Sequence, residues 1–333
     1  MPSFECCRLL NKESEIMKSF DVVCIGVVLL DLPVGPVDEH FFYHETTMVD
    51  RIRLTTGGDA FNEAVILSRL GKKTALIGHI GKDMAGEMIV KRCAEEGIHY
   101  EGMLIDPEAE TRINIAMIDQ DGQRRFLKTQ TKVSGSFLPE EIDFSLIKSS
   151  RAVSLASIFS SKLRNMDTIL QIVQTAREHQ TVTFADMVPM TGGEGLKDIE
   201  KILPYIDYFL PNLEEARLLT GKNTPDEMAD CLLQNGVGNV MIKLGKDGCL
   251  IKSEKERYRL LAYPAQVIDT TGAGDNFAAA FIASALDGKS LRDCGSFAAA
   301  AAAISTEAAG AVEAVKNKQQ IEAYQAENRE IYS

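Results

Sequence analysis

Short apolar runs alternate with stretches of helical length through most of the chain. Residues 21–30 (DVVCIGVVLL) are almost unbroken apolar and rich in β-branched side chains, the pattern of a strand buried on both faces. Residues 74–80 repeat that pattern. From 139 onward the alternation becomes regular, with strands expected at 152–157, 181–186, 208–211 and 239–244 and helices at 163–179, 213–220 and 225–235. Such an order predicts a mostly parallel sheet with right-handed crossovers and helices on both faces, an α/β fold of three layers. Residues 187–197 read as a loop. The Ala-rich run through 298–303 reads as a close-packed helix.

Two stretches break the alternation. Residues 32–56 carry two prolines, two histidines and several aromatics, then the alternating MVDRIRLT of 48–55. Residues 101–130 contain a hairpin pattern, 111–118 and 124–127 around Asp121-Gly122. Together they predict a small β-sheet projecting from the main domain; edge strands of the main sheet are the alternative. Between them, Gly57–Gly71 reads as a helix with Asp59 placed to cap it, Ala64, Leu67 and Leu70 on one face, and Gly71 ending it.

The chemistry concentrates at 269–277 (DTTGAGDNF), which runs into an apolar helix reaching Leu286. Gly272, Ala273 and Gly274 stand where that helix begins. Their backbone N–H groups face no bulky side chain and lie at the positive end of the macrodipole, so an anion can bind there. Asp275 would repel that anion unless it acts on a hydroxyl instead. A base for an alcohol beside a cradle for a phosphoryl group describes a kinase. The competing explanation is an Asp in the first turn of a core helix.

Other polar residues occupy suggestive places. Asp31 follows the first apolar run, where α/β sheets bind ligands, although a turn Asp ends many strands. Asn212 and Glu215 suit a capping box. The turn Lys243-Leu-Gly-Lys-Asp-Gly248 joins two apolar runs as a hairpin would. A dinucleotide-binding dehydrogenase does not fit, because no G-x-G-x-x-G follows the first strand, which carries only Gly26.

Composition narrows the partners. In 333 residues the formal net charge is −12, which argues against nucleic acid, since phosphate contacts need clustered Lys and Arg. No apolar run reaches membrane-spanning length, and residues 1–20 resemble no secretory signal. The seven cysteines include no C-x-x-C. Cys24, Cys249 and Cys294 lie in apolar or small-residue settings, as buried thiols of a reducing, cytoplasmic compartment would. His40 and His44 are four apart, but their segment reads as extended and offers no metal site.

The 269–277 stretch resembles the second signature of the ribokinase-like (PfkB) family of carbohydrate and nucleoside kinases. Gly57-Gly58 followed by Asn62 resembles the first signature, and Asn212 with Glu215 resembles the family's N-x-x-E element. The resemblance runs from about 21 to 325, leaving 1–20 as an extension and 326–333 as a tail, with lid segments at about 32–56 and 101–130. It implies a ribokinase-like α/β/α sandwich with a β-lid over the sugar. It further implies ATP and Mg²⁺, Asp275 as catalytic base, and an anion hole at Gly272, Ala273 and Gly274. Asp31, Gly58, Asp59 and Asn62 would meet the sugar. Arg112, beside Thr111 on a lid strand, could reach a carboxylate or phosphate of the substrate, although a solvated lid residue is the stronger reading of it. Asn212, Lys243, Gly245, Gly248, Ala299 and Ala303 would meet ATP, and Glu215 would hold Mg²⁺ through water. Asp269, Thr271, Ser305, Ala308 and Gly310 correspond to a monovalent-cation site, for K⁺. Two departures from the ribokinase version, Asp59 for Lys and Phe61 for a small residue, border the sugar pocket and weigh against ribose itself, while Gly-Gly-Asp versions occur among ketogluconate-type and general sugar kinases. The acceptor is left as a fructose-, ribose- or ketogluconate-type sugar. Phe61 would narrow the site or stack on a ring. A nucleoside acceptor and a non-catalytic sugar-binding regulator are the alternatives, and a homodimer through the lid is the assembly the resemblance suggests.

Overall fold

The computed structural model describes residues 18–120, 123–189 and 192–331. Eight strands form the main sheet, in the spatial order Arg257–Leu260, Cys249–Ser253, Asn239–Lys243, Tyr208–Phe209, Val182–Met187, Ser150–Ile158, Phe20–Ile25 and Thr74–Ile77. The last six run parallel, and the first two add antiparallel at one edge. Alternation along each strand feeds two cores. Val22 and Cys24 face one side with the helices Asp59–Arg69, Ala273–Leu286 and Leu291–Ser305. Val23 and Ile25 face the other with Met166–Glu178, Leu213–Thr220 and Pro225–Gln234. Both faces are therefore covered, which is why the parallel strands read as continuous apolar runs.

Two expected strands divide. The 21–30 run leaves the main sheet after Ile25, and its remainder opens a new strand, Leu29–Gly35. Asp31 thus lies on a lid strand rather than at the end of a core strand. The 74–80 run divides at Gly78, and His79–Gly81 pairs with Leu104–Asp106 in a separate two-stranded sheet. A Cβ on Gly78 would overlap the Val28 side chain, so the two breaks pack against each other.

The lid is a sheet of its own. Leu29–Gly35 pairs parallel with Ile113–Ile118 and antiparallel with Arg51–Ile52 and Thr55–Gly57, and Arg124–Lys128 adds beyond Ile113–Ile118. The Asp121-Gly122 turn lies outside the described residues, as do Cys6 and Cys7. The histidine segment is not extended: Glu39–Tyr43 is a 3-10 helix capped by Asp38, which accepts from the His40 N–H at 2.9 Å. Cys24, Cys249 and Cys294 are buried and free, as expected. Among the described residues no helix is long and apolar enough to cross a membrane.

Candidate active site

The carboxyl ends of the parallel strands meet the amino ends of three helices at one edge of the sheet. Ser157, Asp186 and Lys243 stand on the strands; Asp59, Asn212 and Asp275 stand at the helix starts. This is where open α/β sheets hold ligands.

Helix Ala273–Leu286 begins after Gly272, whose φ of 75° is left-handed. A Cβ there would overlap Ala311, and Asn276 Nδ2 donates to both Gly272 O and Ala311 O at 2.7 Å. Gly272 therefore serves the turn and its packing on the Ala311 loop. Gly274 differs, because its open side faces Lys243: a Cβ there would lie 3.5 Å from Lys243 Nζ. Of the three amides expected to cradle an anion, that of Ala273 is taken by Thr270 O at 3.3 Å. The Gly274 amide, in the first turn, has no intrahelical acceptor.

Asp275 Oδ2 accepts a 2.7 Å hydrogen bond from Asn62 Nδ2. Burial of the carboxyl, followed by the charge of Asp59, pushes Asp275 up to about 8, against the opposing pull of Asn62 and Lys243. Asn62 itself is buried, and its Oδ1 has no partner. An orphaned acceptor beside a base is what a substrate hydroxyl would fill. Asn62 reaches this position because Gly58, at φ 98°, sits against the Val27 carbonyl and starts helix Asp59–Arg69. Asp59 does not cap that helix. It is the first helical residue, and its carboxylate is held by the Ser157 hydroxyl, with burial raising its pKa.

The lid brings Asp31 over Gly57, where a Cβ would overlap the Asp31 carboxylate. Asn114 Nδ2 donates to Asp31 Oδ1 at 3.3 Å. Arg112 is not solvated: half-buried, it donates to Asn114 Oδ1 at 3.3 Å and to Ser161 Oγ at 3.1 Å, and its charge faces Asp31 and Asp59. Phe61 points away from all of these, wholly buried in the core beneath, so it neither narrows the pocket nor stacks in it.

Asn212 and Glu215 form the reciprocal capping box: Glu215 N donates to Asn212 Oδ1 at 2.9 Å, and Asn212 N donates to Glu215 Oε2 at 2.7 Å. Glu215 is buried, and burial together with Asp186 pushes it up to about 7. The charges of Asp59, Asp186, Glu215 and Asp275 all act on a single cation, Lys243, which makes an ion pair with Asp186. Carboxylates so outnumbering their lysine fit a divalent cation nearby. Among the described residues no group of three or more His, Cys, Asp or Glu is arranged to hold a metal ion.

The other expected positions divide. Gly245, at φ 59°, opens onto free space in the turn Gly245–Asp247. Gly248 does not, since a Cβ there would overlap Leu260 O; its role is packing. Ala299 and Ala303 share a helix face with the half-exposed Ala302. Asp269 bridges its own loop to the next, accepting from Thr271 N at 2.7 Å and Gly310 N at 3.0 Å. Thr271 Oγ1 is buried with no partner, whereas Ser305 Oγ turns back to Ala302 O at 2.7 Å. Ala308 is half-buried in the same segment as Gly310. Asp186, Asn114, Ser157 and Ser161 escaped the sequence reading. Asp186 at least ends an apolar run, the same signal that drew attention to Asp31.

Known proteins resemble this chain over most of its length. A relative from Archaeoglobus fulgidus, described as an uncharacterized sugar kinase, is 33% identical over 232 residues, 69% of this chain and 89% of its own. Probable fructokinase-4 of Arabidopsis thaliana is 26% identical over 280 residues, 80% of this chain and 86% of its own. The structure of Arabidopsis thaliana ribokinase complexed with ribose and ATP superposes with a TM-score of 0.77 at 24% identity, covering 92% of this chain and 98% of that one. The model of the pfkB family carbohydrate kinases matches residues 19–318. The chain belongs to that family of phosphotransferases, whose acceptor is an alcohol.

Proposed function

We propose that this sugar kinase transfers the γ-phosphoryl group of ATP to a hydroxyl of a small neutral sugar, with Asp275 as the general base. The observation that carries this is the Asn62–Asp275 hydrogen bond, which joins a substrate-facing helix to the phosphate-facing one at the start of both. Asp275 takes the proton of the alcohol as the phosphoryl group leaves ATP, and the Gly274 amide stabilises charge on the transferring group. Glu215, through water, and Asn212 would hold Mg²⁺, which when bound neutralises charge on the phosphates. Gly245, Ala299 and Ala303 would receive the nucleotide. K⁺ would lie between the Asp269–Thr271 and Ser305–Gly310 loops, where Thr271 Oγ1 is unpaired.

The acceptor follows from the lid side of the pocket. Asp31, Asp59, Asn62 and Asn114 present acceptors suited to several hydroxyls, and the charge of Arg112 is already matched by Asp31 and Asp59. That leaves fructose- or ribose-like sugars favoured over sugar acids. None of these residues is aromatic, which disfavours a nucleoside base. Phe42, Tyr43, Ile52, Phe126 and Leu127 on the lid are exposed and would pair with a second copy. ADP release measured across ketohexoses, aldopentoses, sugar acids and nucleosides tests the assignment: turnover confined to nucleosides would overturn it.

A further inference from the structure

Phosphoryl transfer as described leaves Asp186 without a role. It is the last residue but one of strand Val182–Met187, and Lys243 ends strand Asn239–Lys243, with the strand Tyr208–Phe209 between them. That middle strand is only two residues long, so the two side chains meet across its open end as an ion pair, 9% and 13% exposed. The Lys243 backbone is fixed there as well, its N–H donating to Pro211 O at 2.9 Å.

Two features make this pair more than packing. Lys243 Nζ stands against Gly274, at the first turn of helix Ala273–Leu286. A cation at a helix N-terminus is on the unfavourable end of the dipole, and Asp186 alone does not explain why it should be aimed there. An ammonium and the first-turn amide of Gly274 facing one gap are complementary to an anion between them. Furthermore, a buried ion pair brings little net stability compared with apolar residues of similar size.

Resting on the kinase reading above, we propose that Asp186 is a positioning residue that holds Lys243 at the mouth of the anion hole, so that the ammonium meets the transferring phosphoryl group. Lys243 remains charged throughout; it shares its hydrogen bonds between Asp186 and the phosphoryl oxygens, and no proton changes hands.

The test uses Lys243→Met, Asp186→Asn and the double variant in the full chain, with kcat from ADP release, sugar affinity from calorimetry and thermal unfolding. Each single change should lower kcat about a hundredfold, the scale of losing one transition-state donor. Sugar affinity should stay within about threefold, separating rate from binding. Either single change also leaves a charge unpaired and should lower the unfolding midpoint; the double variant removes both charges and should regain most of it. Its kcat should nevertheless stay as low as that of Lys243→Met. A double variant that regains wild-type kcat along with its stability, or an Asp186→Asn protein with full kcat, overturns the proposal. Wild-type turnover and its loss in Asp275→Ala report on the kinase reading independently.

Discussion

Asn62 and Asp275 stand 213 residues apart in sequence, yet Asn62 Nδ2 donates to Asp275 Oδ2 at 2.7 Å. One side chain thereby orients the carboxylate while its own Oδ1 stays buried and unpartnered. Replacing it removes an interaction that favours the ionised base. Asn62→Ala should lower kcat/KM for the sugar by roughly tenfold to a hundredfold, the cost of a hydrogen bond to a charged group. Steady-state kinetics across pH checks this, and the rise in activity should shift to higher pH than in the wild type.

The position of that rise is itself predicted. Asp275 is lifted from 3.8 to about 8 by burial and by Asp59. A protonated base cannot accept the alcohol proton, so kcat/KM should climb with pH and level off above about 8. Stability runs the other way. A carboxyl with a raised folded pKa binds its proton more tightly in the fold than in the unfolded chain. Its contribution is complete below 3.8 and is lost as pH rises through about 8. Asp275→Asn should flatten this part of the stability profile in denaturant titrations; an unchanged profile contradicts the assignment.

Gly272 and Gly274 look alike in sequence and differ in the fold. Gly272→Ala forces a side chain into the left-handed region and into Ala311, and should cost about 1–3 kcal/mol or more in denaturant unfolding. Gly274→Ala places its methyl in ordinary contact with Lys243 and should leave stability within about 0.5 kcal/mol. It should nevertheless lower kcat at least tenfold by occupying the gap meant for the phosphoryl group, a drop of the order seen when transition-state donors are lost.

Much of this was legible in the sequence, for reasons that are local. Helices Leu213–Thr220 and Pro225–Gln234 fall where capping residues and 3.6-residue periodicity put them, since both signals act within a few residues. The run 21–30 concealed a change of sheet because the core strand and the first lid strand are both buried, so the apolar pattern continues across the bend. Phe61 misled for a related reason: its neighbours in sequence, Asp59 and Asn62, face the pocket, but helical geometry turns it into the core. The Asp186–Lys243 pair was out of reach. It depends on the shortness of Tyr208–Phe209 and on the order of three strands, neither of which is written in either residue's neighbourhood.

Glu215 completes the capping box of its helix and is proposed to hold hydrated Mg²⁺, and one substitution separates the two. Glutamine preserves a capping box, so Glu215→Gln should retain the helix start and leave the unfolding midpoint within about 2–4 °C. It removes the carboxylate charge proposed to hold hydrated Mg²⁺. The free Mg²⁺ needed for half-maximal rate should therefore rise roughly tenfold to a hundredfold, the range for losing an outer-sphere partner. Magnesium titrations of the rate at saturating sugar and ATP check it.

The central claim is that Asp275 takes the alcohol proton. It is tested most directly by comparing wild type and Asp275→Ala at saturating ATP and sugar, with kcat from ADP release and sugar affinity from calorimetry. The account predicts a loss of about 10²–10⁴ in kcat with sugar affinity nearly unchanged. An Asp275→Ala protein that turns over its sugar at close to the wild-type rate would contradict it.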